Sequence, residues 1–74
     1  MPHVEINCFP GRTEEVKQNC ADKVAAIVAE SLGCKITSVS VAIKEVEQSD
    51  WKKLYDEKIM ADQDALYVKP GYEA

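Results

Sequence analysis

Two residues near the start of the chain could take part in chemistry, one by transferring a proton and the other by binding an anion. The first is the proline of Met1-Pro2. Proline is small enough for an initiator methionine to be removed before it, which would give Pro2 a free secondary amine. An α-amino group titrates at about 7.7–8.0, and burial or a nearby cation lowers the pKa of an amine. A neutral Pro2 amine could therefore act as a general base. Taken alone, the dipeptide is more simply interpreted as a proline without a role.

The second residue is Arg12, which follows the turn-forming pair Pro10-Gly11 and is the one arginine among nine basic residues. A guanidinium group holds a carboxylate through two parallel hydrogen bonds, which the ammonium group of lysine cannot do. Arg12 is therefore the candidate for binding an acidic substrate. Taken alone, it is more simply interpreted as an exposed arginine of a loop.

The cysteines and the histidine form no recognisable metal site. Cys8, Cys20 and Cys34 are an odd number of cysteines without a C-x-x-C pair, and His3 is the only histidine. We expect neither a disulfide nor a bound metal. Cys8 and Cys20 are expected to be small residues of the core, which is where free cysteines usually lie.

The elements that must position these groups follow from the hydrophobic periodicity. Apolar and polar residues alternate over 3–9, which predicts a strand, and apolar residues recur at three- and four-residue steps over 13–32, which predicts a helix. Thr13 and Gly33 are the expected N-cap and stop signal of that helix. A second alternating segment, 38–46, completes a strand–helix–strand unit whose two strands should be parallel.

The last third of the chain is less regular. Ser49 is a candidate cap for a short helix, on one face of which Trp51 would lie. The segment 65–68 predicts a short strand, and Pro70-Gly71 predicts a turn. The expected fold class is therefore α+β: a single βαβ unit with a short second helix and a C-terminal strand or turn.

Length and composition limit the kinds of partner and the domain organisation that the chain can have. The chain has 74 residues, which we expect to form one domain over 1–74, and its net charge of −4 argues against nucleic acid as a partner. It contains neither an apolar run of membrane-spanning length nor a signal peptide, so we expect no membrane partner and a cytoplasmic location. Without disulfides or metals, a domain this small is expected to gain stability as a homo-oligomer.

Short segments in a fixed order connect the sequence to one known family. They are Met1-Pro2-His3, Cys8-Phe9-Pro10, a helix of matching length, Ser38-Val39-Ser40-Val41, Trp51 after Ser49-Asp50, and Lys69-Pro70-Gly71-Tyr72. On these segments the chain resembles the 4-oxalocrotonate tautomerase family, and within it the short bacterial PptA-type members. The resemblance implies a βαβ fold that assembles as dimers or hexamers, and an enzyme that needs no cofactor.

The resemblance also assigns roles. It implies that Pro2 is the general base or acid, which moves a proton between the oxygen and a carbon of the enol of a 2-oxo acid. It implies that Arg12 binds the substrate carboxylate and that Trp51 forms an aromatic wall, which would exclude water and keep the proline amine neutral. For Trp51, ordinary packing of an amphipathic helix is an equally good interpretation.

One departure from the family pattern concerns the second strand. Well-known hexameric members carry an arginine where this chain has Ser40. Losing that charge favours a substrate with one carboxylate, such as the enol of an aryl pyruvate, and Ser40 could donate a hydrogen bond to it. His3 matches the PptA-type members, but strand alternation places its side chain opposite that of Pro2, so a structural role is expected.

Two other functions remain open from the sequence. Relatives of this family add water to haloacrylates or acetylenic acids with a protonated proline, which would make the chain a hydratase or dehalogenase. That chemistry calls for more positive charge than one arginine supplies. The chain could instead be a non-catalytic oligomeric module in which Pro2 is merely an N-terminal residue.

Overall fold

A computed structural model describes all 74 residues. In chain order, one long helix connects two strands that pair with each other. Strand β1 is His3–Cys8, helix α1 is Glu14–Leu32, and strand β2 is Ser40–Glu45. The two strands form a parallel two-stranded sheet. The predicted α+β fold, a βαβ unit with parallel strands, is therefore confirmed.

Strand alternation gives the sheet two different faces. On one face, Ile6 and Cys8 of β1 and Ile43 of β2 border a groove against Val16 and Cys20 of α1. On the other face lie the polar positions of β1, which contact the C-terminal part of the chain. The sheet is therefore covered by α1 on one side and only partly covered on the other.

Helix α1 begins and ends where its local signals predict. Thr13 has extended backbone angles, and its Oγ1 accepts a hydrogen bond of 3.2 Å from the backbone N–H of Val16. Gly33 adopts the left-handed conformation at φ 71°, and its N–H donates to the carbonyl of Ala29. Neither α1 nor any shorter helix has the length and hydropathy that a membrane crossing requires.

The second strand is shorter than predicted. The segment 38–46 contributes only Ser40–Glu45 to β2, because Ile36–Ser38 forms a 3₁₀ turn that ends with the N–H of Val39 donating to Ile36. Ser38 is thus used to close the connection from α1 rather than to pair with β1.

A second helical region follows β2. Helix α2 is Gln48–Leu54, and it continues into a π-helical turn, Tyr55–Ile59, and a 3₁₀ turn, Met60–Ala65. The N-cap position of α2 is Glu47, whose side chain makes no capping hydrogen bond, and Ser49 lies inside the helix. The prediction that Ser49 caps this helix was therefore wrong.

The short strand predicted at 65–68 is also absent. Leu66, which follows the 3₁₀ turn, has extended angles, and the segment pairs with neither β1 nor β2. Tyr67 and Val68 are almost fully exposed. Because a strand exists only through pairing with a neighbour, this segment stays irregular in the single chain, and the chain bends at 67–68 and again at 71–72, beside the turn predicted at Pro70-Gly71.

The interior of the chain is very small. Ala29 is the one buried residue, and Cys20 is exposed, so the expectation that Cys20 belongs to the core was wrong. The accessible surface is 5849 Å², roughly 1,300 Å² more than the ~4,500 Å² of a compact monomer of this mass. The radius of gyration is 13.7 Å, against about 11 Å for a compact domain of this length.

Candidate active site

Pro2 lies at the amino-terminal edge of the sheet. The parallel register pairs His3 with Ser40, so the starts of both strands meet at this edge. The backbone N–H of Ser40 donates a 3.1 Å hydrogen bond to the carbonyl of Pro2, which fixes the position of the half-buried proline. Met1 projects completely into solvent.

The side chains of His3 and Ser40 contact each other across the two strands. His3 Nδ1 and Ser40 Oγ are 2.6 Å apart, within hydrogen-bond distance. His3 therefore has a specific partner for the structural role expected of it. That partner is Ser40 on β2, which is itself a candidate to bind the substrate. The sequence did not identify this pair, although the parallel pairing of the two strands would have placed the residues side by side once the register was known.

Arg12 lies at the opposite end of β1, between the strand and helix α1. The preceding Gly11 has φ 126°, a conformation that favours glycine, and lets the chain turn there. Thr13 then caps α1, so Arg12 is held between two fixed backbone features. Its Nη1 donates a 3.3 Å hydrogen bond to the carbonyl of Phe9, and its guanidinium forms no salt bridge.

Trp51 lines the same cleft as Arg12 and lies in the group of candidate residues away from Pro2, whose amine it was expected to shield from water. It is half-buried on α2, and its ring meets that of Phe9 edge to face, with centroids 5.1 Å apart and an interplanar angle of 81°. Together with Arg12 these rings border a cleft of about 350 Å³, here called the Arg12 cleft. Its lining residues are Asn7, Cys8, Phe9, Arg12, Trp51 and Tyr72.

Four lining residues are not among the site residues predicted from the sequence, namely Asn7, Cys8, Phe9 and Tyr72. Of the two aromatic residues, Phe9 is predicted as the end of a strand, and Tyr72 lies far from Arg12 in the chain. Phe9 could have been found, because it is close to Arg12 in sequence. No local pattern places Tyr72 there, since its position depends on the path of the C-terminal segment over α2.

The candidate residues thus form two groups rather than one. Pro2 and Ser40 lie at the start of the strands, whereas Arg12 and Trp51 lie beyond the end of β1. The six residues of β1 at ~3.3 Å each separate the two groups by about 20 Å. No small substrate spans that distance within one chain.

The charged groups near the sheet are paired with one another. Glu5 accepts a 2.7 Å hydrogen bond from Lys58 Nζ and lies 3.4 Å from Lys44 Nζ, and these contacts lower the pKa of its carboxyl. Lys58 belongs to the π-helical turn, so this ion pair ties the region after α2 to the polar face of the sheet. On α1, the hydrogen bond from Lys17 to Glu14 raises the pKa of Lys17.

Groups that could hold a metal do not converge. Nowhere do three His, Cys, Asp or Glu side chains come together in a suitable arrangement, and all three cysteines are free thiols.

Comparison with known proteins finds one family. A family model described as "Tautomerase enzyme" matches residues 2–65. Proteins named Tautomerase PptA are similar over nearly their full length: that of Enterobacter sp. (strain 638) is 42% identical over 74 residues, covering 97% of each chain. The protein of Cronobacter sakazakii is 39% identical over 75 residues, covering 99% of each chain. That of Escherichia coli O139:H28 is 33% identical over 73 residues, covering 97% of each.

Proposed function

The chain belongs to the tautomerase family and is an isomerase of small molecules, and from this premise we propose that it interconverts the enol and keto forms of 2-oxo acids, chiefly aryl-pyruvate monocarboxylates. In this proposal the 74 residues act as one domain, in the cytoplasm and without a cofactor. The observation that carries the substrate class is Arg12, a cation in no salt bridge that lines one cleft with the rings of Phe9 and Trp51. One cation suits one carboxylate, and aromatic walls suit an apolar substituent.

Pro2 is the proposed proton carrier. Its nitrogen first takes the proton from the enol hydroxyl, which leaves an enolate, and the C–O bond becomes a carbonyl only as the neighbouring carbon is protonated. The electron pair of the carbon–carbon double bond then accepts that proton from the prolinium at the neighbouring carbon. The step is an isomerisation, so no atom or electron is gained or lost.

This role requires removal of Met1. The nitrogen of Pro2 is an amide while Met1 is attached, and an amide nitrogen is not a base. Met1 is completely exposed, so a peptidase can reach the bond between the two residues. The hydrogen bond from Ser40 N–H to the Pro2 carbonyl does not involve the nitrogen and would survive the cleavage.

The remaining candidates have binding roles in this proposal. Arg12 orients the substrate carboxylate, and Trp51 shields the reacting atoms from water. Ser40 contributes a hydroxyl close to Pro2, and its hydrogen bond with His3 determines whether that hydroxyl offers a proton or a lone pair. Ser40 is thus proposed to act together with His3 rather than alone.

The 20 Å separation leads to a proposal about assembly. If Pro2 and Arg12 act on the same substrate, they must come from different chains, so the active enzyme is proposed to be a homo-oligomer, either a dimer or a hexamer. The excess accessible surface and the single buried residue support the same conclusion. Large apolar side chains remain exposed on the single chain, among them Leu32, Ile36, Tyr67 and Val68.

The test is ketonisation of phenylenolpyruvate at neutral pH by the wild type and by Pro2→Ala. An intact mass that lacks one methionine first establishes that each protein begins at position 2. We expect the substitution to reduce kcat by about 10²-fold or more, the size of a general acid–base contribution. Equal rates for the two proteins would overturn the role of Pro2.

The dependence of the rate on pH separates this reaction from hydration. A tautomerase that uses neutral Pro2 gains activity as the pH rises through the pKa of the amine. A hydratase or dehalogenase that uses protonated Pro2 loses activity over the same range. A falling profile with a haloacrylate, together with no ketonisation, would replace the proposed reaction.

A further inference from the structure

The C-terminal segment contributes a wall to the Arg12 cleft. The family model ends at residue 65, and Tyr72 lies beyond it in a part of the chain that the similarity to the PptA relatives still spans. Tyr72 lines the Arg12 cleft together with Phe9 and Trp51. The cleft therefore has three aromatic lining residues, one of which comes from the C-terminal segment.

Tyr72 is held in place by Tyr55, which immediately follows α2. The Tyr55 hydroxyl donates a 3.3 Å hydrogen bond to the backbone carbonyl of Tyr72, and the two ring centroids lie 5.6 Å apart at 50°. Trp51 and Tyr55 are one helical turn apart, so both project from the same side of this region. The pairs Phe9–Trp51 and Tyr55–Tyr72 thus fix the rings at the cleft.

The charges around the cleft define what it can bind. Arg12 donates to the Phe9 carbonyl through Nη1, and its guanidinium carries five N–H groups in total. No Asp or Glu lines the cleft, so the guanidinium has no internal carboxylate partner. A ligand with one carboxylate and an aromatic ring satisfies both the cation and the apolar walls. A dicarboxylate would place its second charge against aromatic rings without a counterion.

We propose that Tyr72, positioned by Tyr55, determines the specificity of this protein for aryl carboxylates: Phe9, Trp51 and Tyr72 enclose the aryl ring while Arg12 binds the carboxylate. The inference rests on the proposed function for the identity of the ligand as a substrate. It concerns binding of the ring, so Tyr72 touches none of the reacting atoms.

Trp51 is the only tryptophan, which makes its fluorescence a direct measure of occupancy that needs no turnover. The probe is 3-phenylpropionate, and propionate is the same acid without the ring. We expect the wild type to bind 3-phenylpropionate about tenfold or more tightly than propionate. Tyr72→Ala should lose about three- to tenfold in affinity for 3-phenylpropionate and none for propionate, because only a ring contact is removed.

Three further variants control this result. Tyr72→Phe keeps the ring and should bind like the wild type, whereas Tyr55→Phe removes the hydrogen bond to Tyr72 and should show a smaller loss in the same direction. Gln63→Ala removes an exposed, uncharged side chain after α2, outside the cleft, and should change neither affinity. Unchanged binding of propionate by Tyr72→Ala shows that the variant is folded around Arg12.

The inference is overturned if Tyr72→Ala binds 3-phenylpropionate as the wild type does, if it weakens both acids equally, or if the wild type does not prefer the aryl acid. Failure of the tautomerase proposal would look different: the ring preference would persist without ketonisation. In active enzyme, Tyr72→Ala should raise KM for phenylenolpyruvate and leave kcat unchanged, because the ring contact is the same in substrate and transition state.

Discussion

At the scale of single residues, the distribution of ion pairs decides which charges are available to a ligand. Lys17, Lys44, Lys52 and Lys58 all lie in salt bridges, whereas Arg12 lies in none. The sequence singled out Arg12 by its type and its place after a turn. It could not show that Arg12 is unpaired, because that depends on which carboxylates the folded chain places near it.

Glu5 provides a prediction about pH. Its pKa is lowered, first by the hydrogen bond from Lys58 and then by the charge of Lys44, so the folded protein keeps it ionised at lower pH than the unfolded chain does. The stabilisation is present above the ordinary carboxyl pKa of 4.5 and is lost as the pH falls through the lower folded value. Glu5→Gln should therefore unfold at lower urea concentration than the wild type at neutral pH, and the difference should close in acid.

The matched control for Glu5 is Glu73→Gln, which removes a carboxylate of the C-terminal segment that forms no salt bridge. Its unfolding should follow the wild type across the same pH range. A difference between Glu5→Gln and wild type that is as large in acid as at neutral pH would contradict the assigned role of the ion pair.

At the scale of elements, the sequence predicted correctly those helix ends that are set by residues adjacent in the chain. The helix 13–32 was predicted almost to its ends, because Thr13 and Gly33 act through their own backbone neighbours. The prediction failed where the outcome depends on distant partners. Segment 65–68 has strand-like composition but no neighbouring strand to pair with. Separately, α2 begins at Gln48 with Glu47 at its N-cap position, ahead of Ser49.

The N-cap of α1 yields the second prediction. Thr13→Ala removes the acceptor for the Val16 N–H and should lower the free energy of unfolding by about 1 kcal/mol. Thr13→Ser keeps the hydroxyl and should stay within a few tenths of a kcal/mol of the wild type. Urea unfolding at one fixed protein concentration measures both, and equal stabilities for the two variants would contradict the capping role.

At the scale of the whole molecule, the candidate site is divided between the two ends of β1. From the sequence, Pro2 and Arg12 were expected to act on one substrate, and the family resemblance supplied the assembly that this requires. The distance between them could not be derived from either residue alone, since it follows from the length and direction of the strand. The single chain therefore carries all the proposed residues without forming the complete site.

Mixing two inactive variants tests the division of the site. Pro2→Ala and Arg12→Gln should each be strongly impaired, the latter by about 10- to 100-fold in kcat/KM through loss of a charged hydrogen bond. If Pro2 and Arg12 of one site come from different chains, unfolding the two variants together and refolding them should restore about one quarter of wild-type activity in a dimer.

The restored activity arises because one of the two sites in each mixed dimer contains both unaltered residues. Refolding each variant alone is the control and should restore nothing. No recovery in the mixture, with mixed assemblies demonstrated by mass, would place both residues of a site in one chain.

The near absence of an interior has a consequence for how the backbone exchanges its amide hydrogens with solvent. With Ala29 as the one buried residue, the paired amides of β1 and β2 lie close to water in a separate chain and open readily. Slow deuterium uptake in this sheet would then report the lifetime of contacts between chains, and it should become slower as the protein concentration rises. If the proposed homo-oligomer forms, a newly synthesised chain would have little folded lifetime of its own before it meets a second copy.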